Sequence, residues 1–166
     1  MSYNKKHVES FSAENGYKKF RGVFAESPQL ESNEEKHHRK IFSSIESAVA
    51  ASGLKDGGTI SFHHAFREGD KVLMKVVKVL SDLGFKDLTI ASSSLLNCHD
   101  GLIEYIKTGV ITKIFTSGLR GELGEAISNG LMQTPVQIHS HGGRVHLIQS
   151  GELAIDVAFL GVASSD

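Results

Sequence analysis

The chain has 166 residues, with 18 basic and 19 acidic side chains and a formal net charge of −1. That length suits a single domain, and near-neutrality argues against a nucleic-acid or anionic-membrane surface. The single cysteine, Cys98, excludes an intrachain disulfide and fits a reducing compartment, so a cytoplasmic location is expected.

The polar first residues carry no apolar h-region. The longest apolar run, Leu153 to Ala163, is broken by Asp156, so neither secretion nor a membrane span is expected. Residues 1–31 show no sustained period and read as an extended N-terminal arm, leaving 32–166 as one α/β domain. Ser32-x-x-Glu35 has the form of a capping box. The helix it opens would carry Ile41, Phe42, Ile45 and Val49 and end at Gly53, with His37 and His38 solvated in its first turn.

Thr59-Ile60-Ser61-Phe62 follows Gly57-Gly58 and reads as a buried strand. After a polar break, Val72, Leu73, Val76, Val77 and Leu80 recur at helical spacing and leave Lys71, Lys75 and Lys78 on the wet face. The pattern repeats. Leu88–Ala91 is a strand before a helix bearing Leu102, Ile103 and Ile106. Ile111–Phe115 is a strand before a stripe of Leu123, Ile127 and Leu131. Val136–Ile138 and Ile155–Leu160 complete the set. Apolar strands alternating with helices predict a three-layer, mostly parallel sheet with helices on both faces.

The polar and glycine-rich residues cluster after the strands. They are His63, His64 and Arg67; Ser92, Ser93 and Ser94; Thr116 to Gly121; and His139 to Arg144. In a parallel sheet these loops share one edge, where ligands bind. Arg67, Arg120 and Arg144 are therefore expected on a common rim beside helix N-termini, suited to a ligand with several carboxylates or phosphates. The alternative is three independent surface arginines.

Other chemistries fit less well. His139-x-His141 and His63-His64 could ligate a metal, but no carboxylate or thiolate spacing accompanies them, and none is predicted. Gly118-x-x-Gly121-x-x-Gly124 is not the dinucleotide fingerprint, and Ser92-Ser93-Ser94 lacks the glycines of a nucleophile elbow. Cys98 beside His99 reads as incidental, because sequence neighbours rarely meet in space. Glu122, Glu125 and Glu152 read as helix-start or solvated charges.

Longer motifs carry more. TISFHHAFREGDKV, LTIASSSL, TSGLRGELGEAIS, PVQIHSHGGR and LIQSGELAIDVAFLGV closely resemble the α-subunit family of bacterial citrate lyases, within the broader CoA-transferases. The likeness runs through nearly the whole chain, including SPQLESNEEKHHRKI. It implies a CoA-transferase-like (NagB/RpiA-like) fold and a reaction: citrate displaces acetate from an acetyl thioester on an acyl carrier protein. That thioester rests on a prosthetic group derived from dephospho-CoA. The implied partners are the β (lyase) and γ (acyl carrier) subunits, in an oligomeric complex.

For that reaction, loop N–H groups near His64 and Gly142-Gly143 are candidates to hold the oxyanion. Arg67, Arg120 and Arg144 would hold citrate carboxylates or CoA phosphates, with His63, Ser93, Ser94, Ser117, Gly118, Gly121, His139 and His141 as further contacts. The first strand–loop departs from other CoA-transferases, with His63-His64 where they place glycines. The family's subunit also continues far beyond Asp166, and in related glutamate-using transferases the catalytic carboxylate lies in that later half. The chain is therefore expected to be an N-terminal portion, truncated at its C-terminal end, that binds without turning over by itself. Two alternatives are a non-catalytic binding or assembly module and a sugar-phosphate isomerase on a similar sheet.

Overall fold

Five strands lie parallel in the computed structural model, which describes residues 41–63 and 66–162. The expected N-terminal arm, the Ser32–Glu35 box, His37, His38 and His64 fall outside the described residues. The elements in chain order are α1 (Ile45–Ser52), β1 (Thr59–Phe62), α2 (Val72–Asp82), β2 (Leu88–Ser92), α3 (Leu102–Lys107), β3 (Ile111–Thr116), α4 (Gly121–Ser128), β4 (Gln137–Ile138), α5 (His141–Ser150) and β5 (Val157–Phe159). Short 3-10 turns at Arg67–Gly69 and Asn97–His99 follow β1 and β2.

The helix over residues 41–53 differs from expectation at its start. Ser44 is the N-cap, its hydroxyl accepting from the Ser47 N–H while the Ser47 hydroxyl accepts from the Ser44 N–H. Ile41 and Phe42 precede α1 and are exposed. Gly53 closes it in the left-handed region, as predicted.

The strand order is β4-β3-β2-β1-β5. From β1 to β4 each strand lies beside its predecessor, so right-handed crossovers place α2, α3 and α4 on one face. β5 then returns to the far side of β1. The same handedness puts α5 on the opposite face.

Side-chain alternation makes the two faces unlike. Ile60, Phe62, Leu88, Ile90, Ile111 and Ile114 join Val49, Leu73, Val76, Val77, Leu80, Leu102, Ile106 and Leu123 from α1–α4 in one hydrophobic core. Phe62 stacks on Phe159 of β5 at 5.6 Å between ring centroids. Ser61 and Thr89, one residue out of phase, point to the second face and are nevertheless buried. The strands are therefore not apolar on both sides. The second face carries mainly small and polar side chains, with Phe115 the large exception, and α5, which has no fully buried residue, lies over it.

His139–Arg144 is not simply a loop. Ser140 caps α5 by accepting from the Gly143 N–H at 3.0 Å, so His141-Gly142-Gly143-Arg144 forms the first helical turn. Among the described residues no helix is long and apolar enough to cross a membrane.

Candidate active site at the carboxyl edge of the sheet

Parallel strands bring the loops after β1, β2, β3 and β4 to one edge, and hydrogen bonds bind them laterally. The backbone ladder continues past the strands: Ser93 N–H donates to the Phe62 carbonyl, Ser117 N–H to Ser93, and His139 N–H to Thr116. The loops after β2 and β3 repeat one device. A hydroxyl at each strand end, Ser92 or Thr116, donates to the carbonyl two residues on, at Ser94 or Gly118. Leu95 and Leu119 then form a parallel bridge. Ser94 Oγ and Ser117 Oγ meet at 3.0 Å between the two loops.

The segment 97–100 fastens the loops on either side of it. Cys98 N–H donates to Glu68 Oε2 at 3.1 Å, and Cys98 Sγ lies 3.5 Å from the Arg67 carbonyl that accepts its bond. Asp70 Oδ2 is 3.7 Å from His99 Nε2, with both side chains nearly sealed from solvent. Towards α4, Asp100 Oδ1 accepts from the Leu123 N–H at 3.0 Å. That places a carboxylate at the positive end of the helix, a favourable position. Arg67 adopts φ 50°, a left-handed conformation uncommon for a residue with a side chain. Such strain persists where the surroundings fix it, and functional loops collect it.

The expected site residues separate accordingly. Arg67 and Arg120 are both exposed, and both adjoin the 97–100 segment. Arg144 lies just beneath that edge on the sheet's second face. Its Nη2 donates to Ser61 Oγ at 2.8 Å, and partial burial lowers its pKa from the ordinary arginine value. The three arginines therefore do not present equivalent heads to a shared rim. Arg144 belongs to α5, and α5 crosses below the loops.

Helix-start N–H groups are also partly committed. Val72 N–H donates to Asp70 Oδ1, Leu123 N–H to Asp100 and Gly143 N–H to Ser140. His63 and His141 are exposed, Ser93 is buried, and Ser94, Ser117, Gly118, Gly121 and His139 are partly buried. His139 stacks on Phe115 at 6.2 Å. Beside Arg120 an open cleft of about 630 Å³ runs along α4, with Gly121, Gly124 and Ser128 on one wall and Ile138 of β4 on the other. Among the described residues no group of three His, Cys, Asp or Glu side chains could hold a metal. Sequence reasoning passed over Ser61, Glu68, Asp70, His99 and Asp100 as site-forming residues. Only the carboxylates placed just before helical turns, Asp70 and Asp100, gave a readable signal.

With this geometry in view, the sequence matches the family described as "Citrate lyase, alpha subunit (CitF)" over residues 38–166. The chain belongs to the citrate lyase α-subunit family. The citrate lyase alpha chain of Klebsiella pneumoniae is 64% identical over 152 residues, 92% of this chain and 30% of the relative. That of Haemophilus influenzae is 52% identical over 167 residues, 100% of this chain and 32% of the relative. A crystal structure described as the α subunit of citrate lyase from Streptococcus mutans in complex with citrate superposes with a TM-score of 0.75. It is 54% identical and covers 76% of this chain and 25% of its own. As a member of the citrate lyase α-subunit family, the chain thus spans about a third of the length of these curated relatives.

Proposed function

We propose that this chain supplies the citrate-binding edge of a citrate:acetyl-acyl-carrier transferase. The observation that carries the reading is the pairing of two exposed arginines, Arg67 and Arg120, on loops that the 97–100 segment fastens from both sides. Citrate is a tricarboxylate, and guanidinium forks bind carboxylates in two-point geometry. The citrate bound by the Streptococcus mutans relative supports the same ligand class here.

In the reaction, a citrate carboxylate oxygen attacks the carbonyl carbon of the acetyl thioester, the carbon–sulfur bond breaks, and the carrier thiolate leaves. The thiolate then attacks the citryl carbonyl of the mixed anhydride, and acetate departs. Citrate and acetyl thioester become citryl thioester and acetate, with no redox change. Carboxylates are weak nucleophiles, so holding the partners together supplies much of the rate; effective molarities of ~10⁵ M or more are known for well-oriented pairs. The backbone N–H of Gly142, on the exposed first turn of α5, is the candidate oxyanion donor, because Gly143 already donates to Ser140.

The carrier thioester, on its dephospho-CoA-derived group, enters as substrate. The open cleft along α4 suits its extended arm. The lyase and carrier subunits complete the assembly, in the cytoplasm.

The test is acetate release from acetyl-carrier thioester plus citrate, using the full-length subunit and the 166-residue chain in parallel. Turnover by the full-length subunit alone, with citrate binding by both, is the expected result. A second reading, a binding module without its own turnover, draws on the chain spanning about a third of its relatives' length. Failure of both proteins to bind citrate would remove the first reading.

A further inference from the structure

Two polar side-chain atoms stand out beneath the carboxyl edge. Arg144 Nη1 and His139 Nε2 are buried, and among the described residues neither has a hydrogen-bond partner. A buried polar group left unpaired costs about 1–3 kcal/mol, so two in one place call for an explanation.

They are not independent, because both residues line the same small cavity, with Ser92, Thr116, Phe115 and Leu147 completing most of its wall. The space there is about 10 Å³. That is close to the volume one water needs, roughly 10–15 Å³, and too small for a carboxylate or phosphate.

We infer that Arg144 and His139 share one enclosed water, and that the resulting chain Ser61–Arg144–water–His139 fixes the first turn of α5 against the sheet. The donors and acceptors balance. Arg144 Nη1 donates to the water oxygen, and the water donates to the unprotonated His139 Nε2, with the imidazole proton on Nδ1. The Ser92 and Thr116 hydroxyls are already engaged with the Ser94 and Gly118 carbonyls, so the two named atoms are the partners that hold the water. A buried water bridging two otherwise unpaired polar groups is ordinarily an integral part of a fold.

The need for this device follows from α5 itself. No residue of that helix is fully buried, so apolar packing through Leu147 does little to set its position. At one end the polar chain grips β1 through Ser61. At the other it grips the β4 end, where the His139 ring is stacked on Phe115 of β3. Between these points lies the Ser140–Gly143 turn. His139 and Arg144 are thus positioning residues for that turn, whether or not the turn touches a substrate.

Three measurements on the full chain test this. In a high-resolution crystal structure, a single ordered water should lie at hydrogen-bond distance, roughly 2.7–3.2 Å, from both Nη1 and Nε2. At about pH 8, where free imidazole is neutral, ¹⁵N spectra should show His139 Nε2 as the unprotonated nitrogen. In a double-mutant cycle, H139F keeps the ring stack and removes the acceptor, while R144M keeps the stem and removes the donor. The two changes should be coupled by about fivefold or more in the unfolding equilibrium, and each should speed amide exchange at Gly143 about tenfold. A dry cavity, a protonated Nε2 or strictly additive variants would overturn the inference; the first two readouts stand even if a variant does not fold.

Discussion

Ser94 Oγ and Ser117 Oγ lie 3.0 Å apart, joining the loop after β2 to the loop after β3 side chain to side chain. One hydroxyl donates and the other accepts, so one proton of the pair is still available to a ligand. A partly buried neutral hydrogen bond contributes about 0.5–1.5 kcal/mol. S94A and S117A should each lower stability by about that amount, and the double variant by less than the sum. Urea unfolding of all three variants checks this. Full additivity would mean the two loops are held by their backbones alone.

His99 makes a stronger case. It is fully buried, and its Nδ1 accepts from the Leu96 N–H at 3.0 Å. Replacing it with leucine leaves that N–H without this acceptor in a buried site and strips Asp70 of its neighbour. We expect H99L to cost about 2–4 kcal/mol, from the unpaired donor together with the disturbed Asp70. The loss should appear in urea unfolding as a lower midpoint at unchanged slope. A shift under 0.5 kcal/mol (roughly the scatter expected of surface changes) would show that the 97–100 segment does not depend on this imidazole.

Gly121 is required by two separate facts. Its φ is 66°, and a Cβ there would sit 2.7 Å from Asp100 Oδ1 and 2.9 Å from Asn97 Oδ1. G121A therefore strains the backbone and pushes away the carboxylate that accepts from Leu123. Left-handed strain of about 1–2 kcal/mol and loss of a helix cap of about 1 kcal/mol combine to about 2–3 kcal/mol. Thermal unfolding of G121A and of D100A separates the parts, since D100A should lose only the cap. Equal losses in the two variants would contradict the assignment.

What could be read from sequence follows the range of the interaction. β1 and α2 were legible because Ile60 and Phe62 alternate while Leu73, Val76, Val77 and Leu80 keep a helical period, both local signals. The carboxyl-edge loops were legible for the same reason, since strand polarity alone collects them. α5 was hidden because His141-Gly142-Gly143 reads as a loop and the helix has no strong apolar stripe. Only its caps, Ser140 and Gly151, marked it. The Arg144–Ser61 bond spans 83 residues and depends on β5 returning to the far side of β1, which no local pattern encodes. That long-range return is why Arg144 reads as a third rim arginine in sequence and lies beneath the edge in the fold.

Cys98 gives a pH-dependent handle on the clamp. Burial, with the nearby Glu68 and Asp70 carboxylates, raises its thiol pKa above the ordinary value. A raised pKa leaves less thiolate at a given pH, and the thiolate is the nucleophile. Alkylation by iodoacetamide at about pH 8.5 should therefore run several-fold slower than for a free thiol, whose pKa is about 8.5. The gap should close at higher pH. E68Q removes one negative neighbour and should speed the reaction at pH 8.5. Reaction at the free-thiol rate in the parent protein would place Cys98 outside the clamp.

The arginines divide the functional proposal into parts that kinetics can separate. Arg67 and Arg120 are exposed at the carboxyl edge, whereas Arg144 is engaged with Ser61. A charge-assisted hydrogen bond contributes about 1.5–3 kcal/mol, equivalent to about 10- to 150-fold in binding. In the full-length subunit, R67A and R120A should therefore raise the citrate KM by at least about tenfold, with a smaller change in kcat. A rise confined to the thioester KM in either variant would contradict that arginine's place on citrate. R144M acts on the position of α5 and should lower kcat more than it raises either KM. If R67A and R120A left both constants unchanged, the carboxyl edge would lose its role in anion binding, since no other exposed guanidinium follows β1 or β3 there.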